Sequence, residues 1–320
     1  MYYRNHRIAY RKIKKAKKIF LVIHEKPDGD AVSSICAMID FLEQEKIDYY
    51  AYCVSDIPEN FLFLPHTEKI NNAMPEDFSS FDLIIPLDCG SLSRTTLISE
   101  ILGRKKHQKV IEFDHHPKVD SYSDIEIREV RAASTTQVIY DFFKKNRIKI
   151  NKARATCILT GISTDTGNFL YPSTSEKTIR ISSEMMIRGA RLPNILESTW
   201  RNKSLSGMKL WGLAINNLEI NKKYNFAVTV ITKKDIEESG ATEEDIEGIS
   251  GFLSNLNEVK GLLMLREEDD GTIKGSLRTS DDNVDVSKIA NALGGGGHSK
   301  ASGFKINGKL VHKNNRWMIE

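Results

Sequence analysis

At 320 residues the chain is longer than the roughly 100–200 residues that one hydrophobic core serves, so two domains are expected. With 40% hydrophobic and 28% charged residues it is neither a disordered nor a fibrous chain, and no apolar run reaches the ~18 residues of a membrane span. A net charge of +3 is too mild to imply an extensive nucleic-acid surface.

In chain order, Arg4, Arg7, Arg11, Lys12, Lys14, Lys15, Lys17 and Lys18 crowd the N-terminus. Ile8, Ala9, Lys12 and Ala16 recur there at helical spacings, so the segment reads as a helix with a solvated basic face. It lacks the apolar stretch and small-residue cleavage site of a secretory signal, and a cytoplasmic protein is expected. The β-branched and apolar runs at 19–23 (IFLVI), 83–87 (LIIPL) and 110–113 (VIEF, which includes Glu112) each read as buried strands of a parallel sheet. Helical patterns fill the intervals, at 33–44 after the first strand, at 134–145 behind a Ser/Thr cap signal, and at 152–160. That alternation predicts an α/β fold, a doubly wound and mainly parallel sheet, over residues 1–190. A helical linker is expected at 191–212 and a smaller α/β domain at 213–320. The latter offers a strand at 226–231, a capped helix at 243–256, and a hairpin pairing 259–267 with 272–278 around Asp270-Gly271. Cys36, Cys53, Cys89 and Cys157 form no C-x-x-C pair, which argues against structural zinc and a disulfide framework.

Four segments carry acidic or imidazole residues just beyond an apolar run: HEKPDGD (His24, Asp28, Asp30), LDCG (Asp88), DHH (Asp114, His115, His116) and TDTG (Asp165). In an open α/β sheet, residues after the strands converge at one crevice although distant in sequence. Five carboxylates converging there would repel one another unless cations neutralised them. Neutral imidazole with carboxylate, and no thiolate, suits Mn²⁺ better than zinc. Pro27 and Gly29 favour a tight loop that aims Asp28 and Asp30 at neighbouring points, so one loop can serve two ions. Two such ions acidify a shared water and clamp both oxygens of an in-line phosphoryl displacement.

The order HEKPDGDA, LDCG, DHH and GISTDTGNF resembles the four motifs of the DHH phosphoesterases, and GGGGHSKASG at 294–303 resembles their DHHA1 substrate domain. Length and the SLRTS segment look most like the NrnA-type subgroup of oligoribonucleases and 3′-phosphoadenosine 5′-phosphate phosphatases. The resemblance implies a two-metal hydrolase, with Mn²⁺ in the cell or Mg²⁺ or Co²⁺ in its place. His24, Asp28 and Asp88 would hold one ion, and Asp30, Asp88, His115 and Asp165 the other, with Asp88 as bridge. Asp114 would orient the histidines, and His116 would face the substrate phosphate. Arg278, Gly295, Gly296, Gly297 and His298 would bind substrate through backbone N–H groups and charge, and Arg94 would reach a phosphate. Short RNA or DNA oligonucleotides and small nucleotides are the partners implied, in a homodimer with no membrane. The alternatives are a linear or cyclic dinucleotide phosphodiesterase and a RecJ-like single-strand exonuclease. A family II pyrophosphatase fits less well without the GGGGH pattern, and a silent nucleotide sensor less well with every ligand present.

Overall fold

The computed structural model describes residues 2–201, 203–246, 248–313 and 316–320. Six strands, β1 (Lys18–Ile23), β2 (Asp48–Tyr52), β3 (Ile70–Asn71), β4 (Leu83–Leu87), β5 (Lys109–Asp114) and β6 (Ile125–Arg128), form one parallel sheet in the order β3-β2-β1-β4-β5-β6. Around it run α1 (Tyr2–Lys15), α2 (Gly29–Gln44), α3 (Ile98–Leu102), α4 (Thr135–Lys145), α5 (Lys152–Asp165), α6 (Glu176–Ile187) and α7 (Leu192–Thr199).

Period-two alternation in β1 sends side chains to two covered faces. Ile19, Leu21 and Ile23 join a large core shared with α1, α2, α4 and α5, whereas Phe20 and Val22 meet Phe81, Leu92, Leu97 and Ile101 on the other side. Burial on both faces is why β1 and β4 are uninterrupted apolar runs in sequence, and β5 is broken only by Glu112, which is buried where Arg128 and Tyr122 donate to it. β2 (DYYAY) and β6 (IEIR) lie outward of them, carry polar residues, and escape a reading based on apolar runs. α1 forms and turns its arginines outward as expected, but the face it buries is His6, Ala9 and Ile13; of Ile8, Ala9, Lys12 and Ala16, whose spacing suggested the helix, only Ala9 is buried and Lys12 is exposed.

The chain divides into compact units at Met1–Asn202 and Lys203–Glu320. The stretch expected as a linker is shared between them. α7 buries Ile195 in the core of the first unit, while α8 (Leu205–Asn216) buries Leu210 and Ala214 in that of the second. Each helix carries its own apolar anchor, so neither remains a free connector.

In the second unit β7 (Glu219–Asn221), β8 (Phe226–Ile231), β9 (Gly261–Glu267), β10 (Thr272–Arg278), β11 (Gly296–Gly297) and β12 (Ala301–Asn307) form a mixed sheet ordered β11-β12-β10-β9-β8-β7. Only β8 and β9 run parallel. Helices α9 (Lys233–Ser239), α10 (Ile249–Leu253) and α11 (Val286–Ala292) accompany it, and β13 (Leu310–Lys313) pairs with β14 (Arg316–Ile319). The hairpin forms where expected, with Gly271 at φ +77°. The helix expected at 243–256 does not form as one piece. A 3-10 turn at Glu244–Ile246 is followed by α10, which begins after Gly248 at φ +91°, a left-handed conformation that no α-helix passes through; residue 247 lies outside the described residues.

Candidate active site

The strand order reverses between β1 and β4, and in such sheets the crevice opens beyond the carboxyl ends at that point. His24 follows β1, Asp88 follows β4, and Asp114 ends β5 just before His115 and His116. Asp88 sits at φ +59°, unusual for a residue with a Cβ, and its N–H donates to the Phe113 carbonyl at 3.0 Å.

Asp28 and Asp30 are placed by a helix, where the sequence suggested a loop. α2 begins at Gly29, and Asp28 caps it by accepting from the N–H groups of Asp30 and Ala31, each at 3.1 Å. Gly29 is required by space, since a Cβ there would lie 2.5 Å from Thr164 Cγ2. Asp30 is held by the start of α4. Its Oδ2 accepts from Thr135 N at 2.5 Å, and its Oδ1 from Thr136 N at 3.0 Å and Thr136 Oγ1 at 2.8 Å. Oδ1 is thereby saturated, and one lone pair is left on Oδ2. Thr135 Oγ1 donates to Asp88 Oδ1 at 2.7 Å, so one threonine fastens two of the carboxylates. Asp165 is the last residue of α5, which continues past the helix read from the sequence.

Two imidazoles are aimed by backbone carbonyls. His24 Nδ1 lies 2.7 Å from the Glu25 carbonyl and His115 Nδ1 lies 3.3 Å from that of Ala132. A carbonyl only accepts, so each Nδ1 carries the proton and each Nε2 offers a lone pair. His24 Nε2 is buried without a hydrogen-bond partner among the described residues, 3.7 Å from Asp28 Oδ2 and 4.0 Å from Asp88 Oδ2. His115 Nε2 is 3.2 Å from Asp165 Oδ2 and 3.7 Å from Asp88 Oδ1. Ligand atoms within 4.8 Å of one another thus define the triads His24/Asp28/Asp88 and Asp30/His115/Asp165, with Asp88 beside both. An orphaned imidazole lone pair facing two carboxylates fits a cation of the N/O-loving class.

The electrostatics agree. Burial first, and then the Asp28 carboxylate, push the Asp30 carboxyl up to about 7. Burial and the surrounding carboxylates push Asp88 and Asp165 well above the usual range as well. Burial acts the same way on Asp28 and Asp114, but imidazole partners overcome it and hold both low, His24 beside Asp28 and His116 beside Asp114. Such a cluster carries its full negative charge comfortably only beside a cation.

Asp114 is built to orient. Its Oδ1 accepts from His116 N at 2.8 Å and Nδ1 at 2.9 Å, and its Oδ2 from Gly90 N at 2.6 Å. Behind it Arg128 donates to the His116 carbonyl at 2.6 Å and to Glu112 Oε1 at 2.5 Å, and Glu112 also accepts from Tyr122 at 2.9 Å. Arg94 stands over the same crevice, Nη1 being 3.4 Å from where a Gly90 Cβ would lie, and its charge lowers Asp28 and Asp165.

Sequence reasoning missed Thr135, Thr136, Arg128 and Gly161. The run Ser134-Thr135-Thr136 was legible as a helix cap, and Ser134 does cap α4 through Gln137 N, but nothing local says that the next two residues grip Asp30 and Asp88. At Gly161 a Cβ would meet Asp30 Oδ1 at 2.3 Å and Thr136 Oγ1 at 2.4 Å, a close approach visible only in space.

In the second unit Arg278, Gly296, Gly297 and His298 gather at one end of the sheet. Arg278 ends β10 opposite Ala301, and Gly297 of β11 pairs with Ser302. The glycines are not equivalent. Gly295 and Gly297 press on β12, where a Cβ would lie 2.1 Å from the Gly303 carbonyl and 2.7 Å from that of Ala301, so strand packing demands them. Gly296 is exposed, and a Cβ there would meet nothing closer than 3.7 Å.

Two family models match the chain, that of the DHH family N-terminal domain over residues 18–162 and that of the DHHA1 domain over 223–316, together about three quarters of its length. The chain belongs to the DHH family. That family is one of phosphoesterases, so the chain is a hydrolase of phosphoester bonds. Among its relatives, the bifunctional oligoribonuclease and PAP phosphatase NrnA of Bacillus subtilis is 28% identical over 292 residues, which are 90% of this chain and 89% of that protein. The NrnA of Thermus thermophilus is 28% identical over 290 residues, 91% of this chain and 84% of that protein. An exopolyphosphatase-related protein of Bacteroides fragilis superposes with a TM-score of 0.85 at 26% identity, covering 96% of this chain and 92% of that one. No described helix is long and apolar enough to cross a membrane.

Proposed function

We propose that this protein is a two-metal phosphoesterase that releases mononucleotides from dinucleotides and short RNA or DNA oligomers, and inorganic phosphate from 3′-phosphoadenosine 5′-phosphate. The observation that carries the reading is the pair of His/carboxylate triads meeting at Asp88 on the carboxyl edge of the sheet. Similarity to the NrnA relatives along 90% of the chain supports the substrate class.

His24, Asp28 and Asp88 would hold one ion, and Asp30, Asp88, His115 and Asp165 the second. A donor set of imidazole and carboxylate supports Mn²⁺, with Mg²⁺ or Co²⁺ as substitutes. When bound, the ions supply Lewis-acid stabilisation of phosphoryl charge. His116 donates from Nδ1 to Asp114, whose carboxylate stabilises the imidazolium, and in that doubly protonated form Nε2–H would donate to the substrate phosphate and pass its proton to the leaving oxygen. Arg94 binds a phosphoryl oxygen. In the C-terminal domain Arg278, His298 and the exposed Gly296, framed by Gly295 and Gly297, bind substrate. A homodimer and a cytoplasmic location complete the reading on the strength of family resemblance.

The test is hydrolysis of a 5′-labelled RNA dinucleotide, a longer oligomer and 3′-phosphoadenosine 5′-phosphate, each with Mn²⁺ and with chelator. Cleavage of the short substrates only with metal is expected. A preference for the long oligomer, or turnover in chelator, would overturn the reading.

A further inference from the structure

The catalytic reading leaves the basic N-terminal helix without a role. Eight of the 46 Lys and Arg residues fall within the first 18 positions and none of the 43 acidic residues does, so the rest of the chain is net negative. The charge is therefore segregated, and the overall balance conceals it.

α1 sorts these cations by face. His6, Ala9 and Ile13 are buried, and Asn5 Nδ2 donates to the Glu126 carbonyl at 3.0 Å, so the apolar side of the helix is fully used in holding it to the core. On the opposite side Arg4, Arg7, Arg11 and Lys15, spaced three, four and four residues apart, form a single exposed stripe. None of these four makes an ion pair among the described residues, whereas their neighbour Lys14 pairs with Glu45. At one end the stripe runs against the helix dipole: Arg4 lies in the first turn, where a cation is disfavoured by about 0.3–1 kcal/mol and no acidic residue offsets it, whereas Lys15 lies in the last turn, where a cation is favoured. A stripe of exposed cations with no ion pair among the described residues is a surface open to an outside polyanion.

We propose that the outer face of α1 is a docking surface for the phosphate backbone of a nucleic acid, separate from the phosphoesterase site. The eleven rises from Arg4 to Lys15, at about 1.5 Å each, make a stripe about 16 Å long. That length matches about five phosphates of one strand at 3.4 Å spacing. No aromatic side chain among the described residues lies on the stripe for a base to stack on, so the face binds backbone charge and reads no sequence. A lipid surface fits less well, because interfacial helices insert an apolar face and the apolar face of this one is buried in its own core.

The experiment measures binding of the full chain to a labelled 24-base-pair RNA duplex, to its DNA counterpart, and to phosphatidylserine/phosphatidylcholine vesicles. Chelator is present throughout to suppress hydrolysis, so failure of the catalytic reading leaves the result intact. Four backbone contacts predict that duplex affinity falls roughly 100-fold between 50 and 200 mM salt. The variant R4Q/R7Q/R11Q/K15Q, with all four changes on an exposed face, should flatten the log–log salt slope by about 3 to 4 and weaken duplex binding at least tenfold. Its dinucleotide hydrolysis and circular dichroism should be unchanged. Equal loss on RNA and DNA identifies the backbone, and loss on RNA alone narrows the partner to RNA. Unaltered duplex binding by the variant, no duplex binding by the parent, or binding to vesicles alone would overturn the proposal.

Discussion

Thr135→Val tests whether the start of α4 sets the geometry of the active site. Valine keeps the branched shape and leaves the backbone N–H on Asp30 Oδ2, but it removes the hydroxyl that donates to Asp88 Oδ1 at 2.7 Å. Thr135 and Asp88 are both buried, so water does not readily replace the lost donor. A hydrogen bond to a charged group contributes about 1.5–3 kcal/mol, and if Asp88 must hold its place in the transition state, kcat/KM should drop about 10- to 100-fold. The assay is Mn²⁺-dependent hydrolysis of an RNA dinucleotide, run beside metal content and thermal unfolding. Thr135→Ser, which restores the hydroxyl, should recover most of the activity. The reasoning fails if Thr135→Val stays within twofold of the parent, or if Thr135→Ser is as defective as Thr135→Val, since a purely steric role would give that pattern.

Asp88→Asn should abolish turnover while the metal-free protein melts no lower than the parent, because a carboxyl crowded by four others loses its repulsion; retained Mn²⁺-dependent hydrolysis would contradict the assignment. Gly161→Ala would ordinarily stabilise a helix interior, but here the new Cβ meets Asp30 Oδ1 at 2.3 Å, so a loss of about 1–3 kcal/mol and weaker Mn²⁺ binding are expected, read by melting and titration. His6 is buried, and its imidazole is lowered from 6.5 to about 3, chiefly by burial and then by Lys145 and Lys177. A depressed pKa means that His6 supports the fold fully above pH 6.5 and loses that support as pH falls toward 3, by about 1.4 kcal/mol per pH unit. Denaturant titrations between pH 7 and 4 should show a shallower decline for His6→Gln, and parallel curves would refute the burial argument.

Much of this protein is legible in its sequence because two signals are local. Buried parallel strands must be apolar on both faces, so β1, β4 and β5 announce themselves, and polar residues directly after such runs converge by the topology of an open sheet. The segments carrying His24, Asp28, Asp30, Asp88, Asp114, His115, His116 and Asp165 could therefore be marked before any coordinate; the resemblance to the DHH phosphoesterases singled out six of these, all but Asp114 and His116, and the structure brings those six together. What the sequence alone could not decide depends on contacts between distant segments. The capping role of Asp28 turned a supposed loop into the first turn of α2, and Thr135, the first helical residue after the Ser134 cap, proved to clasp Asp30 from 105 residues away. Gly161, unremarkable in its own helix, is required by a carboxylate on another. The run at 243–256 was misjudged as one helix, and the run at 191–212, helical as expected, divides between the two units, because periodicity shows that a segment can be helical, whereas a left-handed glycine or an apolar anchor in one core or the other decides where the helix breaks and which unit it joins. Periodicity and composition are carried by neighbours along the chain, while donors, acceptors and close approaches are supplied across space, so only the tertiary structure shows how these carboxylates and imidazoles are held.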